Sequence, residues 1–248
     1  MVMYRKGQLR RTSYAVCTIL VGQSRPGQLE VANVTQRRLR MLLVLAFPVA
    51  LSLGILLIPV VSDYSDHAIA AQAVNSTGRW FAGHVLAAVA FGLSVVSVSV
   101  AAAVLADREQ ALPFSVLPLI AVGAGLYAAG LGADGVAPVA LTSAGASPTV
   151  FFDGSGWWVS GIFMTATLFF GAGLIALTVH ANRVQFVRGA SRYLMLIAAL
   201  LFMVIPAIQS GWGLYGEAIA AYLVFVPLAL AVARPAQQAV RADKPRPR

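Results

Sequence analysis

Five residues of this chain combine a reactive or chargeable group with a position that a ligand can reach: Arg79, His84, Asp134, Asp153 and Glu217. A neutral imidazole such as that of His84, about one turn inside Trp80, can bond a carboxylate or bind a ligand. Paired with Glu217, Asp134 or Asp153 it would also make an acid-base couple. Glu217 is read as opening its helix, where the positive end of the helix dipole stabilises a carboxylate whether or not anything binds. The plainer expectation for the same set is structural: an arginine and a histidine paired with acids fasten the outer loops.

Other combinations are poorer. In "SDYSDH", Asp63 and His67 would share a helical face and could grip a divalent ion, but two ligands do not make a site and no HExxH motif accompanies them. A solvated loop is expected there. Cys17 is the only cysteine, which excludes internal disulfides and cysteine-rich metal centres. Haem held by two histidines needs them at one depth, yet His84 and His180 fall near opposite ends of their spans, about 30 Å apart. No cofactor is expected.

The elements that must position these residues follow from composition. Of 248 residues, 59% are hydrophobic and 11% charged, with a mean hydropathy of +0.79, so lipid is the solvent for most of the chain. Stretches of about 20 apolar residues suffice to cross a bilayer core as helix. Six are read: Met41 to Val61, Phe81 to Ala106, Leu112 to Leu131, Trp157 to His180, Tyr193 to Gln209 and Glu217 to Ala233. The fold expected is an all-α, six-transmembrane-helix bundle. The last two spans would meet in a tight hairpin turned by Gly211, Gly213 and Gly216.

Charge gives the orientation. Seventeen of the eighteen Lys and Arg residues fall before the first span, in the second and fourth loops or after the last span; only Arg79 falls on the other side, with Asp63, Asp66, Asp134, Asp153 and Glu217. By the positive-inside rule both termini are cytoplasmic, in a multi-pass protein of the cell membrane. The net charge of +9 then reports topology and affinity for anionic headgroups, and nucleic acid is excluded as a partner. Residues 1–40 read as a basic cytoplasmic segment, disordered or peripheral, or as residues ahead of a true start near Val34 or Met41; residues 41–233 form the transmembrane domain and 234–248 a basic tail. The Ala, Val, Gly and Arg bias suggests a bacterial source.

Two outer mouths resemble each other. Aligning residue 76 with 154 matches Gly78, Trp80, Gly83, Ala88 and Phe91 with Gly156, Trp158, Gly161, Ala166 and Phe169. Interfacial tryptophans and small residues for close packing explain the likeness physically, and a duplicated hairpin explains it equally well. Gly83 with Ala87, Ala88 with Gly92, and Ala90 with Ser94 mark the second span as central. The long exported segment from Gly132 to Trp158 is expected as a loop against the bundle, with Asp153 or Ser155 capping the next helix or the whole serving as a lid. Interior prolines such as Pro48 and Pro227 fit a static bundle better than hinges.

The central turns of all six spans lack Asp, Glu, Lys, Arg and His, which argues against a proton pump with a midplane relay. Mid-depth polar groups are hydroxyls: Ser94, Ser97, Thr165, Thr167, Tyr127 and Tyr222. The leading expectation is a non-enzymatic protein that binds or passes a small neutral or lipid-like molecule through a pocket open to the exported face. The alternatives are an enzyme built on the outer His/carboxylate set and an accessory subunit without a site of its own.

Overall fold

The computed structural model describes residues 26–208 and 210–234, with side chains from residue 34 onward except at 155–157. The readings for residues 1–25 and 235–248 therefore lie outside the described residues. The chain divides into two units, residues 1–38 and 39–248. In the first, the described residues are helical from Pro26.

The helices are α1 (Pro26–Leu57), α2 (His67–Val74), α3 (Thr77–Ala106), α4 (Val116–Ser143), α5 (Thr149–Arg183), α6 (Ser191–Val204) and α7 (Gly211–Ala233), with a 3-10 turn at Ile205–Ala207 after α6. Five of them are long and apolar enough to cross a membrane, and Ser191–Ala207 is a shorter apolar helix. Leu42, Leu53, Val89, Val122, Leu168, Ile197 and Leu230 are exposed along the helix flanks. An apolar outer surface of that extent suits hydrocarbon and not water.

Lipid gives helices no hydrophobic reason to associate, so close backbone approach must hold them. A Cβ on Gly54 would meet the Ala87 nitrogen at 2.8 Å, and one on Gly83 the Ile58 nitrogen at 2.8 Å, so α1 and α3 touch backbone to backbone. Gly123 of α4 abuts the Phe170 backbone of α5 in the same way. The centre is aromatic. Phe47 (α1) lies 5.6 Å from Phe91 (α3), 5.7 Å from Phe170 (α5) and 5.1 Å from Phe225 (α7), ring centroid to centroid, and Phe202 (α6) lies tilted 5.4 Å from Phe170. Each such pair adds about 0.5–1.5 kcal/mol to its burial.

The expected hydroxyl bonding is present. Ser94 donates to the Phe91 carbonyl, Ser97 to the carbonyls of Leu43 and Leu93, and Thr165 to that of Gly161. The ends of the helices sort by chemistry. At one end Arg40 pairs with Asp107 at 3.4 Å, Arg108 donates to the carbonyls of Ala231 and Arg234 while lying over the Phe186 ring, and Asn182 donates to the Arg192 carbonyl. At the other, Gly211 donates to the Val61 carbonyl at 2.7 Å and Arg79 to that of Leu57 at 3.2 Å.

Several boundaries differ from the sequence expectation. α4 continues to Ser143 and α5 begins at Thr149, so most of the expected exported loop is helix. Asp153 and Ser155 are therefore both inside α5, whose N-cap position is held by Pro148. Gly211, Gly213 and Gly216 lie in α7 itself; the turn before it ends at Ser210, whose side chain accepts from the Trp212 nitrogen. Glu217 accordingly sits two turns into α7 and does not open it. The SDYSDH stretch is not wholly loop: Asp66 caps α2 by accepting from the Ala68 and Ile69 nitrogens.

Candidate functional site

Between the helix ends opposite the arginine-rich end lies a cavity of about 700 Å³, with walls from α1, α3, α4, α5, α7, the end of α6 with the turn after it, and the segment leading into α2. The volume falls within the range of about 300–1,000 Å³ that small-molecule sites occupy. Four of the residues expected from sequence, His84, Asp134, Asp153 and Glu217, line it. Arg79 does not: it is exposed and bound to the Leu57 carbonyl, so its role is to tie α3 to the end of α1.

His84 is fixed from three sides. Its Nδ1 lies 2.7 Å from the Trp80 carbonyl, and since a carbonyl only accepts, Nδ1 carries the hydrogen. Its Nε2 lies 3.3 Å from Asp134 Oδ2. Gly135 leaves the room, because a Cβ there would stand 2.6 Å from the His84 Cβ. The Trp80 indole nitrogen donates to the Asp134 carbonyl at 2.8 Å, closing a second link between α3 and α4. The pair is largely out of water, with side-chain exposures of 2% for His84 and 15% for Asp134.

A second pair marks the rim. Asp153 Oδ1 lies 2.6 Å from His67 Nδ1, and both side chains are well exposed. Asp63 does not join His67 on a helix face; it accepts from the Ser65 nitrogen and hydroxyl, and these hydrogen bonds hold its carboxyl below the usual range. Among the described residues no group of three His, Cys, Asp or Glu is placed to hold a metal ion.

The floor is aromatic and hydroxylic. Phe91 stacks on Tyr127 at 4.1 Å, and the Tyr127 hydroxyl bonds Thr167 at 2.6 Å. Thr167 in turn donates to the Phe163 carbonyl. Sequence reading found these hydroxyls but not their cavity, because hydropathy does not say which face of a helix meets a void. Tyr64, on the segment before α2, was missed altogether. Burial pushes its phenol above the ordinary range, and the Asp134 and Glu217 carboxylates nearby push the same way.

Glu217 is the outlier. Its exposure is 6%, it lines the cavity, and among the described residues no hydrogen bond or ion pair reaches its carboxyl.

An all-helical chain with five long apolar helices and a lipid-compatible flank is an integral, multi-pass membrane protein. Comparison with protein-family models, with curated proteins and with solved structures gives no match for it.

Proposed function

We propose that this protein is a six-span protein of the bacterial cytoplasmic membrane, both ends on the cytoplasmic face, that binds a small lipid-like ligand in the outer cavity. The orientation is supported by the sorting of charge: Arg40, Arg108 and Arg234 gather at one end of the helices, with the carboxylate-lined cavity at the other. The sixth crossing is supported by α6, which starts beside Asn182 at the basic end and delivers Ile205, Pro206 and Ile208 to the cavity. Tags at the two chain ends should be accessible from the same face in sealed vesicles; accessibility on opposite faces would overturn this topology.

The cavity itself carries the binding reading. Met164 and Ile208, which line it between α5 and the turn after α6, are themselves more than half exposed. Entry between those two residues would admit an apolar ligand sideways from the bilayer. Below the floor, Phe47, Phe170, Phe202 and Phe225 close the centre without exposure, which favours holding a ligand over passing one through. The enzyme alternative has its His84–Asp134 pair, but Nδ1 is bonded to the Trp80 carbonyl and Nε2 stands 3.3 Å from Asp134 Oδ2, so neither nitrogen is without a protein neighbour, whereas a general base needs a lone pair turned toward its substrate.

A long-chain alcohol bearing a photoreactive diazirine tests the reading in nanodiscs. Phe91 and Tyr127 are shielded from the bilayer yet line the cavity. Saturable labelling at these two residues is expected. Labelling confined to flank residues such as Leu42, Leu168 and Leu230 would refute a ligand cavity.

A further inference from the structure

The charge inventory of the cavity is lopsided. Three carboxylates line it, from Asp134, Asp153 and Glu217, and among the described residues no Lys or Arg does. The histidines present, His84 and His67, are each already placed on a carboxylate, Asp134 and Asp153 respectively. Glu217 is left without a partner among the described residues, although it is more than nine-tenths buried and turned into the void.

Each class of occupant can be weighed against that inventory. An anion would meet a wall already richer in acids than bases. A neutral apolar molecule would displace water from Glu217 and give nothing back, and a desolvated carboxyl without a bonding partner is costly. A bare metal ion needs several His, Cys, Asp or Glu ligands converging on one point, and the described residues offer no group of three. An organic cation answers both the unpaired carboxyl and the apolar walls. Aromatic faces add to this, since Phe91, Tyr127 and Phe163 surround the space, and a cation over a desolvated ring is attracted by its quadrupole.

We infer that the cavity selects an amphiphilic organic cation, whose protonated amine sits on Glu217 and whose apolar body lies along Phe91, Tyr127 and Phe163. The inference rests on the binding reading above and adds the charge of the ligand. Access through the flank fits such a molecule, because amphiphilic amines partition into bilayers and present their headgroups at the depth of the helix ends.

Matched photoreactive probes test it in nanodiscs of zwitterionic phosphatidylcholine, which do not themselves concentrate cations. A primary alkylamine diazirine and the alcohol of the same chain length are titrated, and saturation is read from labelling at Phe91, Tyr127 and residue 217. The wild-type protein should saturate with the amine at a concentration at least about tenfold lower than with the alcohol. Glu217→Gln, nearly the same size, should remove the preference while still taking up both probes. Equal saturation by the two probes in the wild type overturns the cation assignment and leaves the cavity reading intact. Absence of saturable cavity labelling by either probe overturns both. A preference that persists in Glu217→Gln overturns the role of Glu217. Should that variant fail to fold, the wild-type ratio together with the amine probe's label on Glu217 decides.

Discussion

The mouths of α3 and α5 share five identities in seventeen aligned positions and put them to different uses. Trp80 is fully buried and bonded to Asp134, whereas its counterpart Trp158 is 62% exposed. Gly83 is pressed against Ile58 and Gly54, whereas nothing stands within 4 Å of a Cβ on Gly161. Phe91 floors the cavity, whereas Phe169 faces outward and its neighbour Phe170 takes the core. The buried face of α5 runs through Ala166, Phe170 and Leu174, one residue out of step with the face of α3 through Ala87, Phe91 and Ser94. One residue is about 100° of rotation on a helix. Similar sequence at two membrane interfaces therefore reflects a shared solvent, and equal packing does not follow from it.

Each mouth also holds a histidine–aspartate pair, and here the contrast is one of solvation. His84–Asp134 is buried between α3 and α4, while His67–Asp153 lies open at the start of α5. Breaking the buried pair with Asp134→Ala should cost roughly 2–4 kcal/mol, because His84 loses the partner of a desolvated nitrogen. Asp153→Ala should cost less than about 1 kcal/mol, as exposed pairs do. Thermal unfolding of both variants in the same detergent measures the difference, and equal losses would mean that burial does not separate the two pairs.

A smaller effect is expected from the aligned glycines. Gly83→Ala must displace Ile58 or Gly54 and should destabilise by about 1–3 kcal/mol. Gly161→Ala enters open space and should fall within about 0.5 kcal/mol of wild type, or stabilise slightly through helix propensity. Comparable unfolding temperatures for the two would restore the idea that the mouths pack alike.

Much of this contrast was hidden in the sequence for identifiable reasons. The run through Gly132, Asp134 and Gly135 reads as the end of a span, since it breaks hydropathy and carries turn-forming residues. In the folded chain the same three residues continue α4: Gly135 makes room for His84 and Asp134 receives it. Glu217 reads as the polar first residue of a span because the glycines ahead of it suggest a turn. Val61 instead accepts from Gly211, starts α7 two turns earlier, and so carries Glu217 inward. Candidate residues chosen for outer position alone were brought to one cavity in four cases, and Arg79 was drawn away by a backbone carbonyl that no pattern announces.

What the amino-acid order determined alone was its solvent: apolar lengths matched to a bilayer are a property of composition summed over tens of residues. The cavity, its aromatic floor and the solitary Glu217 were decided only by tertiary structure. In lipid every helix flank is equally apolar, so the hydrophobic pattern that orients a helix in water is absent. Rotation and register are set by local fits, a glycine against a backbone or an imidazole against a carboxylate, and those exist only once the helices have met.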